Sequence, residues 1–225
     1  MTMAKINVAG STLSFDELNR LYDEQVDGDY RSEPFDQYFG DTGLSAERKN
    51  NRIRTAKDIE EFMVLALATM FYMQEDGGID YSAVYTDMVN SYQDVLEKRG
   101  IRVSDMFAMH IPMAMSSIIE TTINNPDEVF NYTLDRARLI AANEAMTIWN
   151  NADLEQAILD GKTRKTWNAF LDRATRDTHR EVNGTTIPIM DIFTVGDSLM
   201  YGPHDDSLGA GAEELANCRC WLTFS

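Results

Sequence analysis

Between Ser45 and Asp160 apolar residues recur at three- and four-residue steps, and after Gly161 that rhythm stops. A chain with such a break folds as helices packed on helices, followed by a smaller segment of strands, turns and loop. The sequence therefore predicts an α+β protein: an N-terminal helical bundle, then a small C-terminal α+β module with an antiparallel sheet and a long Gly/Pro-rich loop. In the helical part Ile59, Phe62, Met63, Leu65, Ala66, Met70 and Met73 form one stripe, with Thr55 placed to cap it. Tyr81, Val84, Met88, Tyr92, Val95 and Leu96 form the next, which closes with Lys98 and Arg99 before Gly100. Ser104 can start a third helix, in which Pro112 predicts a kink or break. Asn125-Pro126-Asp127-Glu128 reads as the start of a fourth helix that runs to Trp149, and Leu154 to Leu159 as a short fifth. The methionines between Met63 and Met115 stand at helical spacing and read as core filling.

Residues 1–44 form an N-terminal arm broken by turn signals, in which Ser14-Phe-Asp-Glu17 has the capping-box pattern for a short helix to about Gln25. Its aromatics Tyr30, Phe35, Tyr38 and Phe39 are expected to pin it onto the helices. Residues 45–160 form the helical bundle and 161–225 the C-terminal module. In that module Lys162–Phe170 and Arg219–Phe224 are rich in β-formers and are expected to pair antiparallel. Between them lie one helical turn, Ala174 to Glu181, and a long loop with Gly184, Pro188, Gly196, Gly202, Pro203, Gly209 and Gly211. So small a segment buries little alone and is expected to rest on the helix from Asp127 to Asn150, with Trp149 and Trp167 near the contact.

Charge narrows the function classes. The 225 residues carry 37 acids and 20 bases, a formal charge of -17, so the surface as a whole is repelled by a phosphate backbone. Residues 162–180 reverse that balance with six bases and two acids, which leaves a local DNA contact open. The longest apolar run, Phe62 to Met73, is too short to cross a bilayer. The N-terminus lacks a secretory pattern, so the chain is expected to stay in the cell that makes it. Two cysteines one residue apart do not make a framework of bridges.

Chemistry concentrates after Gly161. Of three histidines, His110 sits among Met109, Ile111 and Met113 and reads as a core histidine with one satisfied ring nitrogen. The other two share the C-terminal segment with Cys218 and Cys220. Cys218-Arg-Cys220 can supply two zinc ligands, His179 a third, and His204 or Asp177 a fourth. The plainer reading is two reduced, half-buried thiols and a histidine hydrogen-bonded to the loop. In either case His179, Cys218 and Cys220 are expected to converge, because strand pairing brings the start of the return strand to the turn that follows the first strand. A Cys218–Cys220 disulfide is disfavoured by ring strain. An enzyme reading would use Asp172, Arg176 and His179 for acid–base or phosphoryl chemistry, although their spacing equally describes one face of a helical turn tied by an ion pair. No phosphate-cradling loop, nucleophile elbow or His-Glu-x-x-His helix is present in the sequence.

The ordered set Lys165-Thr-Trp167, Asp172-Arg-Ala-Thr-Arg176-Asp-Thr-His179, Asn183-Gly184, Ile187-Pro188, Phe193, Pro203-His-Asp205, Ala212-Glu-Glu214 and Asn217-Cys-Arg-Cys220 resembles the minor head (head morphogenesis) proteins of tailed bacteriophages, the Mu F-like group. The helix with Asp135-Arg-Ala-Arg-Leu-Ile-Ala-Ala-Asn-Glu144 resembles the one that leads into that segment. The resemblance covers roughly residues 130–225. It implies a virion protein, made in the bacterial host cytoplasm and placed in the capsid interior or at the portal vertex. Such a protein acts in capsid assembly or DNA packaging and delivery through contacts with portal and capsid proteins, and it makes Asp172, His179, Cys218 and Cys220 signature positions. The alternative is a metal-dependent nuclease or toxin-like effector that keeps the same module.

Overall fold

A computed structural model describes residues 6–8, 11–13, 16–17, 19–20, 34–40, 43–73, 81–125 and 128–225. They form an α+β protein: a short antiparallel hairpin not expected from the sequence, then helices, then a small antiparallel sheet near the C-terminus. In chain order the elements are β1 (Ile6–Val8), β2 (Ser11–Leu13), α1 (Phe35–Tyr38), α2 (Ala46–Met73), α3 (Tyr81–Arg99), α4 (Asp105–Asn124), a 3₁₀ turn (Val129–Tyr132) and α5 (Leu134–Leu159). The module then follows as β3 (Arg164–Asn168), α6 (Asp177–Val182), β4 (Thr186–Pro188), β5 (Phe193–Val195), β6 (Ser198–Met200), α7 (Ala212–Leu215) and β7 (Trp221–Phe224). Among the described residues no helix is long and apolar enough to cross a membrane.

Two compact units are assembled from separated stretches: residues 1–33, 57–99 and 111–141 in one, 34–56, 100–110 and 142–225 in the other. The first is a helical core in which Ile59, Met63, Leu67, Met70 and Phe71 of α2 are buried, as are Val84, Met88 and Tyr92 of α3. Asp58 holds Lys98 and Arg99 at the end of α3, the basic last turn that the helix dipole favours. The second unit contains the sheet, ordered β4-β3-β7 and antiparallel throughout. Its register sets Trp167 opposite Leu222 and Arg164 opposite Pro188. The expected pairing of the two strands is therefore observed, with β4 added on the free side of β3.

Several helix boundaries differ from expectation. Helix α2 starts nine residues before Thr55, capped by Ser45, whose hydroxyl accepts the N–H of Arg48 at 3.3 Å. Thr55 is an interior residue whose hydroxyl accepts the indole N–H of Trp149 at 2.9 Å. The longer helix puts Arg48 and Arg52 four apart on one face, where both reach Asp153. Ser104 caps α4 as expected, but the helix runs on through Pro112 without a break. The start expected at Asn125 is instead at Thr133, whose buried hydroxyl accepts the N–H of Arg136. Pro126 and Asp127 lie outside the described residues, and Glu128 precedes a 3₁₀ turn. Leu154–Leu159 is not a separate helix but the last turns of α5. Of the short helix expected from Ser14, the described residues Asp16, Glu17, Asn19 and Arg20 are helical; the rest of it, and Tyr30, lie outside the described residues. Phe35, Tyr38 and Phe39 are buried, as expected. The methionine reading is only partly right: Met63, Met70, Met88 and Met115 are buried, but Met109 and Met113, four apart on α4, are 67% and 61% exposed.

Candidate functional site

The site begins with the register of β3. Alternation turns Lys165 and Trp167 inward, and Trp167 is fully buried against His179 and Phe193, both edge-on to its ring. After Asn168 the chain turns on Asp172, whose carboxylate accepts the N–H of Ala174 and the hydroxyl of Thr175, a local turn that aspartate favours. That turn aims α6, so that His179 points into the core. At the other end of the loop Asn217 adopts a left-handed backbone, φ 56°, a conformation that asparagine tolerates better than most residues. Its side chain and N–H pair with Asn143 of α5. The chain then delivers Cys218 and Cys220 on either side of Arg219. Arg219 pairs with Asp172 and lies 4.2 Å above the ring of Phe170. The residue between the cysteines thus ties them to the turn that carries the histidine.

The convergence expected of His179, Cys218 and Cys220 is observed. All three are buried, and their ligand atoms lie within 4.8 Å of one another. The Nδ1 atom of His179 is 3.3 Å from the sulfur of Cys220 and 3.7 Å from that of Cys218. Both thiols are free. Cys220 N–H donates to the Cys218 sulfur at 3.4 Å. The Cys220 thiol is held below its ordinary range, first by hydrogen bonding from Cys218 and then by His179 and Trp167, against the opposing effect of burial. Burial pushes the Cys218 thiol up. The pair therefore favours one thiolate beside an imidazole.

Behind the histidine stands a residue to which the sequence assigns no role. Glu214, in the four-residue helix α7, is buried, and its carboxylate lies 2.9 Å from the Nε2 atom of His179, at ion-pair distance, while accepting the hydroxyl of Thr178. Gly196, in the tight turn between β5 and β6, makes room for this: its φ is +57°, and a Cβ there would stand 2.8 Å from the Glu214 carboxylate. The run Ala212-Glu-Glu214 is visible in the sequence, but only the folded loop tells its two glutamates apart.

The other candidates go elsewhere. His204 is buried and left-handed, φ 67°, with Nε2 against the carbonyl of Cys218. Burial, only partly offset by that bond, lowers its pKa to about 4. It braces the cysteine strand from the backbone side and is not one of the three converging ligands. Asp177 is exposed at the start of α6. Asp172, Arg176 and His179 each have a different partner: Arg219 for Asp172, the carbonyl of Ala216 for Arg176, and the thiols for His179. The basic stretch is also partly consumed. Lys165 is buried and donates to the carbonyl of Tyr201 at 2.7 Å, and burial lowers its pKa to about 8. Arg164 and Arg180 donate to backbone carbonyls as well.

The helix beneath the module meets it through Asn150, whose amide donates to the carbonyl of Cys220 at 3.0 Å, while the indole of the neighbouring Trp149 is bonded to Thr55. Trp167 serves the module's own core. His110 is also more than a core histidine, because both ring nitrogens meet carboxylates, Glu144 at 3.1 Å and Asp206 at 3.2 Å. Burial would depress its pKa, but the two carboxylates overcome that and raise it to about 10. A cavity of about 240 Å³ opens beside it, lined by His110, Asn150, Leu154, Met190, His204 and Asp206 among others.

With this arrangement in place, one comparison identifies the chain. The family model described as phage Mu protein F like protein matches residues 98–223, more than half of the sequence and the whole of the module's converging cluster. The chain belongs to the phage Mu protein F-like family. Neither the curated proteins nor the solved structures give a match. Membership confirms the resemblance read from the ordered residues and points to a role in phage head morphogenesis as a component of the virion.

Proposed function

We propose that this chain is a minor head protein that acts in capsid assembly or DNA packaging and delivery through contacts with other proteins, at the portal vertex or inside the capsid. The observation that carries the reading is family membership across residues 98–223. The geometry supports contact rather than turnover. The thiol–imidazole cluster is fully enclosed, while apolar side chains of the second unit face outward: Leu159 is 68% and Met190 66% exposed.

The test is co-purification of the full chain with the portal and major capsid proteins of the same phage, together with its detection in purified virions. Association with the portal that weakens in Leu159→Asp or Met190→Asp chains is the expected result. Absence of the chain from virions, with no association to either protein, overturns the proposal. Cleavage of DNA or RNA with a divalent metal, abolished by His179→Ala, would replace it with the effector reading.

A further inference from the structure

We propose that His179, Cys218 and Cys220 bind one structural zinc ion, with Glu214 holding the histidine in position behind it. The argument is geometric. Zinc takes thiolate sulfur at ~2.3 Å and imidazole nitrogen at ~2.0–2.1 Å in a tetrahedron, so a sulfur and a nitrogen bound to the same ion stand about 3.6 Å apart. The two sulfur-to-Nδ1 distances are 3.3 and 3.7 Å, on either side of that value. Both sulfur–nitrogen spacings are those of zinc ligands, and all three donor atoms lie within 4.8 Å of one another.

Two further observations point the same way. A zinc-bound histidine characteristically presents its other ring nitrogen to a carboxylate, which fixes the ring and its tautomer. Here Nδ1 is turned to the sulfurs, and Nε2 lies 2.9 Å from the buried Glu214 carboxylate, close enough for charge pairing but not aligned for a hydrogen bond. A buried carboxylate is costly unless it is paired, and this one takes the Thr178 hydroxyl and lies at ion-pair distance from His179. In addition, the Cys220 N–H already donates to the Cys218 sulfur, a bond that stabilises sulfur in its charged, metal-binding form. No other ligand atom of a described histidine, cysteine, aspartate or glutamate joins the three. The ion would clamp the start of β7 to α6, across a loop of some forty residues with few long elements of its own.

The experiment uses the full, untagged chain made in zinc-supplemented cells and purified without chelator. Elemental analysis is expected to give one zinc per chain. Replacement by Co²⁺ is expected to give the visible bands of a tetrahedral site together with near-ultraviolet thiolate charge-transfer bands. Cys218→Ser and Cys220→Ser should each remove about half of the charge-transfer intensity. Because both cysteines are core residues whose variants risk misfolding, the unaltered chain decides: failure to retain zinc and to take up zinc or Co²⁺, or Co²⁺ uptake without thiolate bands, overturns the proposal. The positioning role of Glu214 has its own readout. Glu214→Gln should weaken zinc, measured by chelator competition, by about 10- to 100-fold while both thiolate bands persist; unchanged affinity would remove Glu214 from the proposal.

Discussion

The two compact units solve the problem of backbone polarity in different ways. In the helical unit of residues 57–99 and its companions, helices satisfy most carbonyls and N–H groups internally, and buried Arg136 serves the carbonyls of Ile118 and Asn131. The rest of its interior can therefore be filled with Met63, Leu67, Phe71, Met88 and Tyr92. In the other unit the strands have three to five residues and long stretches are loop, so the backbone cannot satisfy itself. Polar side chains do it instead. Lys165 takes the carbonyl of Tyr201, Asn150 that of Cys220, His204 that of Cys218 and Arg48 that of Leu222. The difference teaches that buried polarity here is not evidence of catalysis by default. Much of it is the scaffold of a loop-rich fold, and a candidate site stands out only where the donors converge on one point.

The largest expected effect tests that scaffold. Arg52 has no exposed surface and reaches both Asn150 and Asp153. Arg52→Met should destabilise the protein by about 1–3 kcal/mol, since Asp153 keeps only Arg48 and the buried amide of Asn150 loses its donor. The double replacement Arg52→Met/Asp153→Leu should recover a large part of that loss. Denaturant melts of the two variants check this, and equal destabilisation in both would show that packing, not charge, sets the cost.

A smaller effect concerns pH, because Asp206 is still 37% exposed and solvent screens its pairing with His110. His110 is protonated in the folded chain up to about pH 10 but only to about 6.5 when unfolded. Between these values the folded state holds the extra proton, so its contribution is complete below about pH 6.5 and is lost as pH rises toward 10. His204 works in reverse: neutral in the folded chain down to about pH 4, it makes the unfolded state the better proton binder between 4 and 6.5, so stability falls as pH falls. Lys165 and Cys220, whose pKa values are lowered, oppose His110 above about pH 6.5. The share of His110 is therefore read as the difference between thermal melts of the parent and His110→Gln chains. That difference should be constant below about pH 6.5 and shrink as pH rises toward 10; a difference that does not depend on pH would remove His110 as a cause.

The smallest effect belongs to the apolar unit. Met63→Leu and Met88→Leu keep volume and polarity, and each should cost less than about 1.5 kcal/mol. A larger loss in urea melts would mean that the helical core depends on the shape of its methionines, and would narrow the contrast between the units.

What the sequence determined by itself follows from local periodicity and from chain order. The helical rhythm up to Gly161, the capping roles of Ser104 and of Lys98 and Arg99, and the β-rich runs around Trp167 and Trp221 are local properties, and all appear as written. The meeting of His179 with both cysteines was also legible, because antiparallel pairing of β3 with β7 brings the two ends of the loop together whatever the loop does. Tertiary structure decided what depends on competition between sites. Thr55 and Asn125 carry good capping patterns, but Ser45 and Thr133 cap the helices instead. In the case of Thr55 the longer helix brings Arg48 and Arg52 to Asp153, a gain that no local pattern registers. The same holds for Glu214 behind His179 and for His110 between two carboxylates: each partner is 34 or more residues away in sequence, and only a folded loop can tell one glutamate from its neighbour.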